Sequence, residues 1–269
     1  MRKEFIMPKI LTKIQAQKKP GRFNLFIDGK YSFAVSETVL VENHLYKGQE
    51  LSDEEINQLI NSEEFSKLYQ KALNYLSYQL RSEQELDKHL KEISDNSFLI
   101  EKVKKKLRAY NLLDDTKYAS SYVRTMVNTS DKGFNIIRNN LRAKGIPEND
   151  IEQAKLDYDH SNISDKLESL IPKVIHQYRN QPSRIRIQKV KQRLIAKGFS
   201  PDEFENILST SFSSNPAHED ELLSNQLEKL WNRYSTSNLT DSQKKLKIKQ
   251  TLYRKGFALD KITNKLDEL

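Results

Sequence analysis

The stretch Leu141-Arg142-Ala143-Lys144-Gly145-Ile146 recurs twice in this chain, as Leu194-Ile195-Ala196-Lys197-Gly198-Phe199 and as Leu252-Tyr253-Arg254-Lys255-Gly256-Phe257. Around each copy, an apolar residue stands four positions ahead of the Leu (Ile137, Val190, Ile248) and another six beyond the Gly (Ile151, Phe204, Ile262). The match covers about fifteen residues at a period of just over fifty, which is the signature of a tandem array. Each copy has a mechanical reading. A Gly in the left-handed region ends one helix, the apolar residue after it touches the Leu four before it, and the next helix begins at once. That same apolar residue precedes the next N-cap and can staple to a residue inside the helix, and Ser200 with Glu203 supplies a capping box between Phe199 and Phe204.

Upstream of each phrase lies a further helical period, which makes the unit three helices. Ala72, Tyr75, Leu76 and Leu80 open the first unit, and Tyr118, Ala119, Tyr122, Val123 and Met126 the second. Val174, Ile175 and Tyr178 open the third, and Leu227, Leu230, Trp231 and Tyr234 the fourth, all at a 3.6-residue spacing. The first unit is atypical: Leu86 and Leu90 keep the spacing, but no Lys-Gly follows, and Ser94-Asp95-Asn96-Ser97 leads to a third helix around Leu99, Val103 and Leu107. Atypical terminal units are expected in a stack, where one face lacks an equivalent neighbour.

Residues 8 to 36 alternate instead: Ile10, Thr12, Ile14 and Ala16, then Phe23, Leu25 and Ile27, then Tyr31, Phe33 and Val35. Three antiparallel strands are predicted, with turns at Lys19-Pro20-Gly21-Arg22 and at Asp28-Gly29, a type I′ signal. A short helix is expected after Ser36, ending near Gly48. Another starts at Ser52 with Glu55 as its capping partner and Leu51 facing Ile56 as a staple. Three short strands bury little alone, so they are expected to dock on the first helices. The fold class that follows is mainly α, with tandem three-helix, helix-turn-helix-like repeats in an elongated array and a small N-terminal antiparallel β segment. The expected boundaries are 1–64 for the β-hairpin and helix domain, then 65–112, 113–160, 161–213 and 214–269 for repeats one to four.

With 36% hydrophobic and 30% charged residues in 269, the composition suits such an array better than one spherical core. No apolar run approaches the roughly 18 residues of a membrane span, and Met1-Arg2-Lys3-Glu4 lacks a secretory core, so a soluble cytoplasmic protein is expected. The absence of Cys removes disulfides, thiolate metal sites and Cys nucleophiles together. None of the seven Gly falls in a phosphate-cradling or dinucleotide pattern. His44, His89, His160, His176 and His218 are scattered without ligand spacing, so neither a metal site nor a cofactor is expected. Asp114-Asp115 and Glu219-Asp220-Glu221 read as helix starts rather than metal pairs. No catalytic residue is assigned.

The cations carry the functional signal. Net charge is +8, and from Ile171 to Pro201 there are eight Lys or Arg and no carboxylate; a second carboxylate-free stretch runs from Ser242 to Leu259. Such clustering points to an acidic partner. In the second helix of unit three, Ile187, Val190 and Leu194 are expected to form the buried stripe, with Arg186, Lys189, Arg193 and Lys197 lining it. Transposed to unit four, Lys244, Lys247 and Lys255 take three of those four places. Unit two keeps only Lys144, and unit one has Ser82, Glu85 and His89, so the charge rises toward the C-terminus. With Arg184 added, Arg184, Arg186, Lys189, Arg193, Lys197, Lys244, Lys247 and Lys255 are the candidate filament- or nucleic-acid-binding residues. The alternative is that these are solvated helix faces. Twelve tyrosines could stack bases, but most fall at core spacing.

Ala72-Leu-Asn-Tyr-Leu-Ser-Tyr-Gln-Leu-Arg-Ser-Glu-Gln-Glu-Leu86 and Leu113-Asp-Asp-Thr-Lys-Tyr-Ala-Ser-Ser-Tyr-Val-Arg124, with Lys132-Gly133 and Leu141 to Ile146 after them, closely resemble the RecX family, in particular its longer Gram-positive-type members. Phe134 departs from the family, where Pro is common after Lys-Gly. The resemblance implies a non-enzymatic regulator of the RecA recombinase, built of three-helix repeats. Such a protein binds the RecA filament on DNA and modulates ATP hydrolysis, strand exchange and filament growth, with inhibition the expected direction. It also implies the RecA filament as partner and single- or double-stranded DNA touched through phosphates, with the protein acting as a monomer away from membranes. The residues themselves leave open a helix-turn-helix DNA-binding protein or transcription regulator acting independently of RecA.

Overall fold

The computed structural model of the chain describes residues 8–159 and 163–268; Met1-Arg2-Lys3-Glu4 and His160 lie outside the described residues. Strands β1 (Lys9–Ala16), β2 (Arg22–Ile27), β3 (Lys30–Ser36) and β4 (Glu50–Leu51) form one antiparallel sheet in the order β3-β2-β1-β4. The two expected turns are present. Asp28 and Gly29 have φ of 48° and 81°, the positive pair that a type I′ turn requires, and Gly21 has φ of 73°. The two-residue β4, too short to show periodicity, is the strand that alternation did not reveal.

One expectation about the sheet is corrected. Alternation puts Ile10 on the same face as Thr12 and Ile14, yet Ile10 is exposed and Leu11 is fully buried. The register shifts between Leu11 and Lys13, and Thr12 turns its hydroxyl to the Phe26 carbonyl at 3.0 Å. A bulge adds one residue to one strand, so the parity of the side chains reverses across it. Leu11, Leu25, Ile27 and Val35 make the core face, covered by Val39, Leu45, Leu51 and Leu59.

Helix α1 (Glu37–Glu42) is capped by Ser36, as expected, but ends at Glu42 rather than near Gly48. His44 enters the left-handed region at φ 48°, and Leu45 N–H donates back to Leu40 at 3.1 Å, so a Schellman-type stop precedes the glycine. Helix α2 (Asp53–Tyr78) starts with the Ser52–Glu55 capping box and runs 26 residues without a break through positions 64 and 65. Its N-terminal half gives Leu59 to the sheet core, and its C-terminal half gives Leu68 and Ala72 to the core of the first repeat. Between them Glu63, 2% exposed, pairs with Arg22 and accepts from Ser36 N–H at 2.6 Å. Leu80 lies beyond the helix and is exposed.

Helices α3 (Glu83–Lys91) and α4 (Ser97–Ala109) complete repeat one around Leu86, Leu90, Leu99, Val103 and Leu107. Asn111, at φ 55°, ends α4 as a glycine would, with Leu112 N–H bonded to Leu107 at 2.9 Å. Repeat two consists of α5 (Asp115–Thr129), α6 (Phe134–Ala143) and α7 (Glu148–Asp159). Asp114 accepts from Lys117 N–H at 3.0 Å, the capping role read from the sequence. Helix α6 begins at the departing Phe134 itself, a buried residue. Repeat three follows as α8 (Ile163–Gln177), α9 (Ser183–Ala196) and α10 (Pro201–Ser211), and repeat four as α11 (Pro216–Ser235), α12 (Asp241–Arg254) and α13 (Leu259–Asp267).

The glycine stops form as read. Gly145, Gly198 and Gly256 have φ of 76°, 91° and 94°. Phe199 N–H bonds to Leu194 at 3.1 Å and Gly198 N–H to Ile195 at 2.8 Å; Phe257 and Gly256 repeat the pair on Leu252 and Tyr253. That is the double hydrogen bond of a Schellman cap. Packing divides the chain into two compact units, one reaching to Tyr118 and including Lys144–Ile146, the other holding Ala119–Ala143 and the residues from Pro147 onward.

Candidate functional site

The second helices of the last two repeats, α9 and α12, are each 14 residues long, against 10 for α6. The extra turn carries the inward-facing side of α9 back to residue 186, whereas in α6 it begins at Phe134. In α9 the stripe is Arg186, Val190 and Leu194, spaced by four, whereas Ile187 is only half-buried. Arg186 therefore lies within the stripe expected to run through Ile187, not beside it. It is 8% exposed, its guanidinium lies over the Phe212 ring at 5.2 Å, and its Nε has no hydrogen-bond partner among the described residues. A long aliphatic stem and a weakly hydrated, planar head allow this burial. In α12 Lys244 takes the equivalent place, 16% exposed and 3.3 Å from Asp241.

The other candidates separate by environment. Arg184, Arg193 and Lys247 are exposed, and among the described residues none of them forms an ion pair. Lys189 is half-buried with its ammonium 5.6 Å from the Tyr178 ring centre. Lys197 is 3.5 Å from Asp131, and Lys255 donates to the side-chain carbonyl of Gln226. Thus four of the eight, Arg184, Arg193, Lys247 and Lys255, are exposed without an ion pair among the described residues, and two, Lys189 and Lys255, line a cleft of about 370 Å³ between repeats three and four. Arg254, Gln226, Asn180 and Gln181 line it as well and were not singled out in the sequence. One signal was available: in the repeated phrase Arg254 stands where the other copies have Ala143 and Ala196.

Elsewhere polar groups serve the fold. Glu219 accepts from the Ser183 hydroxyl at 2.5 Å and Asp220 from Lys261 at 2.8 Å, both at the start of α11. His89 stacks on Tyr75 at 4.1 Å, and the His218 ring lies 3.2 Å from the Arg179 carbonyl. Among the described residues no group of three or more His, Asp or Glu side chains could hold a metal, and no helix is long and apolar enough to cross a membrane. Burial and the hydrogen bond to Glu203 push the Tyr158 hydroxyl far above the ordinary tyrosine range, so that phenol is a fixed donor in the core.

Fold and sequence together define a class: tandem three-helix-repeat proteins with a small β domain ahead of the first repeat and basic, carboxylate-free stretches in the last two. Four family models match in order along the chain. They are the regulatory protein RecX N-terminal domain at residues 9–52 and the RecX first, second and third three-helix domains at 69–93, 114–154 and 218–266. The third-domain match falls on the fourth repeat counted here. Proteins named regulatory protein RecX are similar over nearly the whole chain. That of Limosilactobacillus reuteri is 42% identical over 96% of this chain and 97% of its own, and that of Bacillus subtilis 34% over 96% and 98%. A crystal structure of regulatory protein RecX shares 44% identity over 74% of this chain and 98% of its own, with a TM-score of 0.67. The crystal structure of RecX from Lactobacillus salivarius aligns over 56% and 97%, at 38% identity and a TM-score of 0.52. The chain belongs to the RecX family of regulatory proteins.

Proposed function

We propose that this protein regulates the RecA recombinase by binding the RecA–DNA filament and restraining its ATPase, strand exchange and growth, without catalysing a reaction itself. The observation that carries this reading is the family relationship along essentially the full chain, from the β domain to the last repeat. The distribution of charge supports it. A filament of protein on DNA is a polyanion, and Arg184, Arg193 and Lys247 offer it unneutralised cations on the repeats whose second helices are longest. In this reading the protein acts as a cytoplasmic monomer.

The test is the steady-state ATPase of the cognate RecA on single-stranded DNA, with the protein added before or after filament assembly. A dose-dependent fall in rate is the expected outcome. A larger effect on early addition assigns the action to filament growth, and equal effects assign it to the finished filament. No change at either order, with the protein folded, overturns the proposal. A preferred duplex sequence in a selection experiment would then favour an independent helix-turn-helix DNA-binding protein.

A further inference from the structure

Every lysine of the repeated phrase sits at a junction between repeats. There the glycine turn of one repeat meets the first turn of the second helix of the repeat before it: a Cβ at Gly145 would collide with Gln84, one at Gly198 with Ile136, and one at Gly256 with Ile185. The three junctions share this packing but differ in how the lysine is treated. Lys144 gives its ammonium to Glu85 at 2.6 Å, and Lys197 faces Asp131 at 3.5 Å. Lys255 donates to the neutral amide of Gln226 and forms no ion pair among the described residues. Asp131 stands three positions ahead of the start of α6 at Phe134; three positions ahead of the start of α9 at Ser183, the chain has Asn180. Counted from the start of the helix that each glycine turn meets, the place of this carboxylate is held at the third junction by an uncharged amide, and Asn180 lines the same cleft as Lys255.

Two further cations gather there. Arg254 replaces the alanines of the other copies, and Lys189 approaches from α9. The cleft is lined by these three cations, by the amides of Asn180, Gln181 and Gln226, and by an apolar floor of Ile185, Leu222 and Phe257; no carboxylate is among its lining residues. Three like charges around one cleft repel, and burial on one side weakens their hydration, so the arrangement favours a bound polyanion. A nucleic-acid strand brings one charge per nucleotide and sugar and phosphate oxygens for the amides, and so neutralises all three cations where a single carboxylate cannot.

We infer that the junction of repeats three and four binds the phosphate backbone of a nucleic-acid strand, and that the two earlier junctions are the same socket closed by an internal carboxylate. The inference rests on the reading that this face meets a nucleoprotein filament, and it identifies which component of the filament the cleft takes. It is tested on the full chain with a fluorescein-labelled oligothymidine, by anisotropy between 50 and 200 mM salt without RecA. Asn180→Asp recreates the closed junction. It is expected to weaken binding about fivefold to tenfold and to flatten the slope of log affinity against log salt by about 0.7 for each phosphate released. Asp131→Asn, which frees Lys197, is expected to steepen that slope. Thermal unfolding followed by circular dichroism verifies that both variants are folded.

Unchanged binding by Asn180→Asp across the salt range overturns the inference. So does an effect of this variant on polyglutamate binding with none on the oligonucleotide, which would assign the cleft to an acidic protein segment. Failure of the regulator reading looks different: the wild-type protein then binds oligothymidine through the cleft and leaves RecA's ATPase unchanged. A wild-type protein that binds no oligonucleotide yet lowers that ATPase removes the phosphate site and leaves the regulator reading standing.

Discussion

At the scale of the residue, two glycines with the same backbone need do different work. Gly29 and Gly198 both have positive φ, but a Cβ at Gly29 meets nothing within 4 Å, whereas at Gly198 it would press on the backbone of Gly133 and Ile136. Gly29→Ala is expected to cost roughly 1–2 kcal/mol, the left-handed penalty alone. Gly198→Ala should cost clearly more, because the Gly133 N–H bond to the Lys197 carbonyl at 2.8 Å must also give way. Urea unfolding of the two variants checks the order. Arg186 offers a second contrast. Replacing a buried, incompletely bonded cation with a hydrophobe of similar volume is often neutral, so Arg186→Leu should keep stability within about 1 kcal/mol of the parent and leave oligonucleotide affinity unchanged. Arg186→Ala, which leaves a void beneath Phe212, should lose about 2 kcal/mol or more. The sequence placed this arginine on a rim, since charge and a three-residue spacing both suggested it. What it could not display is that one additional helical turn extends the inward stripe to position 186.

Among the elements, α3 and α4 are joined by a charge network that no hydrophobic pattern reveals. Lys104, 12% exposed, lies 2.9 Å from Glu101, 3.1 Å from Asp87 and 3.3 Å from Glu83, and Arg108 holds Glu83 through two bonds at 2.6 and 2.8 Å. The hydrogen bond from Arg108 keeps the Glu83 carboxyl below its ordinary value, and that from Lys104 does the same for Glu101. For Asp87, burial acts upward and is outweighed by Lys91 and Lys104. Depressed folded-state values mean that this stabilisation is complete above the ordinary carboxylate values of 4.5 and 3.8 and is lost as pH falls through the lowered ones. Lys104→Met should therefore lower the melting temperature at pH 7, and the gap from the parent should narrow at about pH 3; a constant gap would assign the effect to packing. Helix ends were legible to the extent that local chemistry determines them: the boxes at Ser52 and Ser200 and the glycine stops were visible in the sequence. The left-handed stops at His44, beyond α1, and at Asn111, beyond α4, were not, because a non-glycine stop is not marked as a glycine marks one.

For the molecule as a whole, composition indicated a basic, helical, repeated protein, and the period near fifty located its repeats. Which cations are free was not legible, since that depends on carboxylates distant in sequence: Lys197 is answered by Asp131 and Lys144 by Glu85. Neutralising three exposed cations of repeats three and four that form no ion pair among the described residues, Arg184→Gln, Arg193→Gln and Lys247→Gln, should weaken oligonucleotide binding and reduce its salt dependence while the melting temperature stays within a few degrees. An equal loss on neutralising three paired cations of the first repeat would show that net charge, not placement, governs binding.

The sheet and the first repeat share α2, whose two halves enter two different cores. At 1.5 Å per residue that helix is a shaft about 39 Å long, with Glu63 locked to Arg22 and the Ser36 backbone near its middle. Mechanically the β domain is the head of a lever rather than a bead on a string: no joint separates it from the first repeat, so a torque applied to the strands turns the helices of that repeat through the same angle.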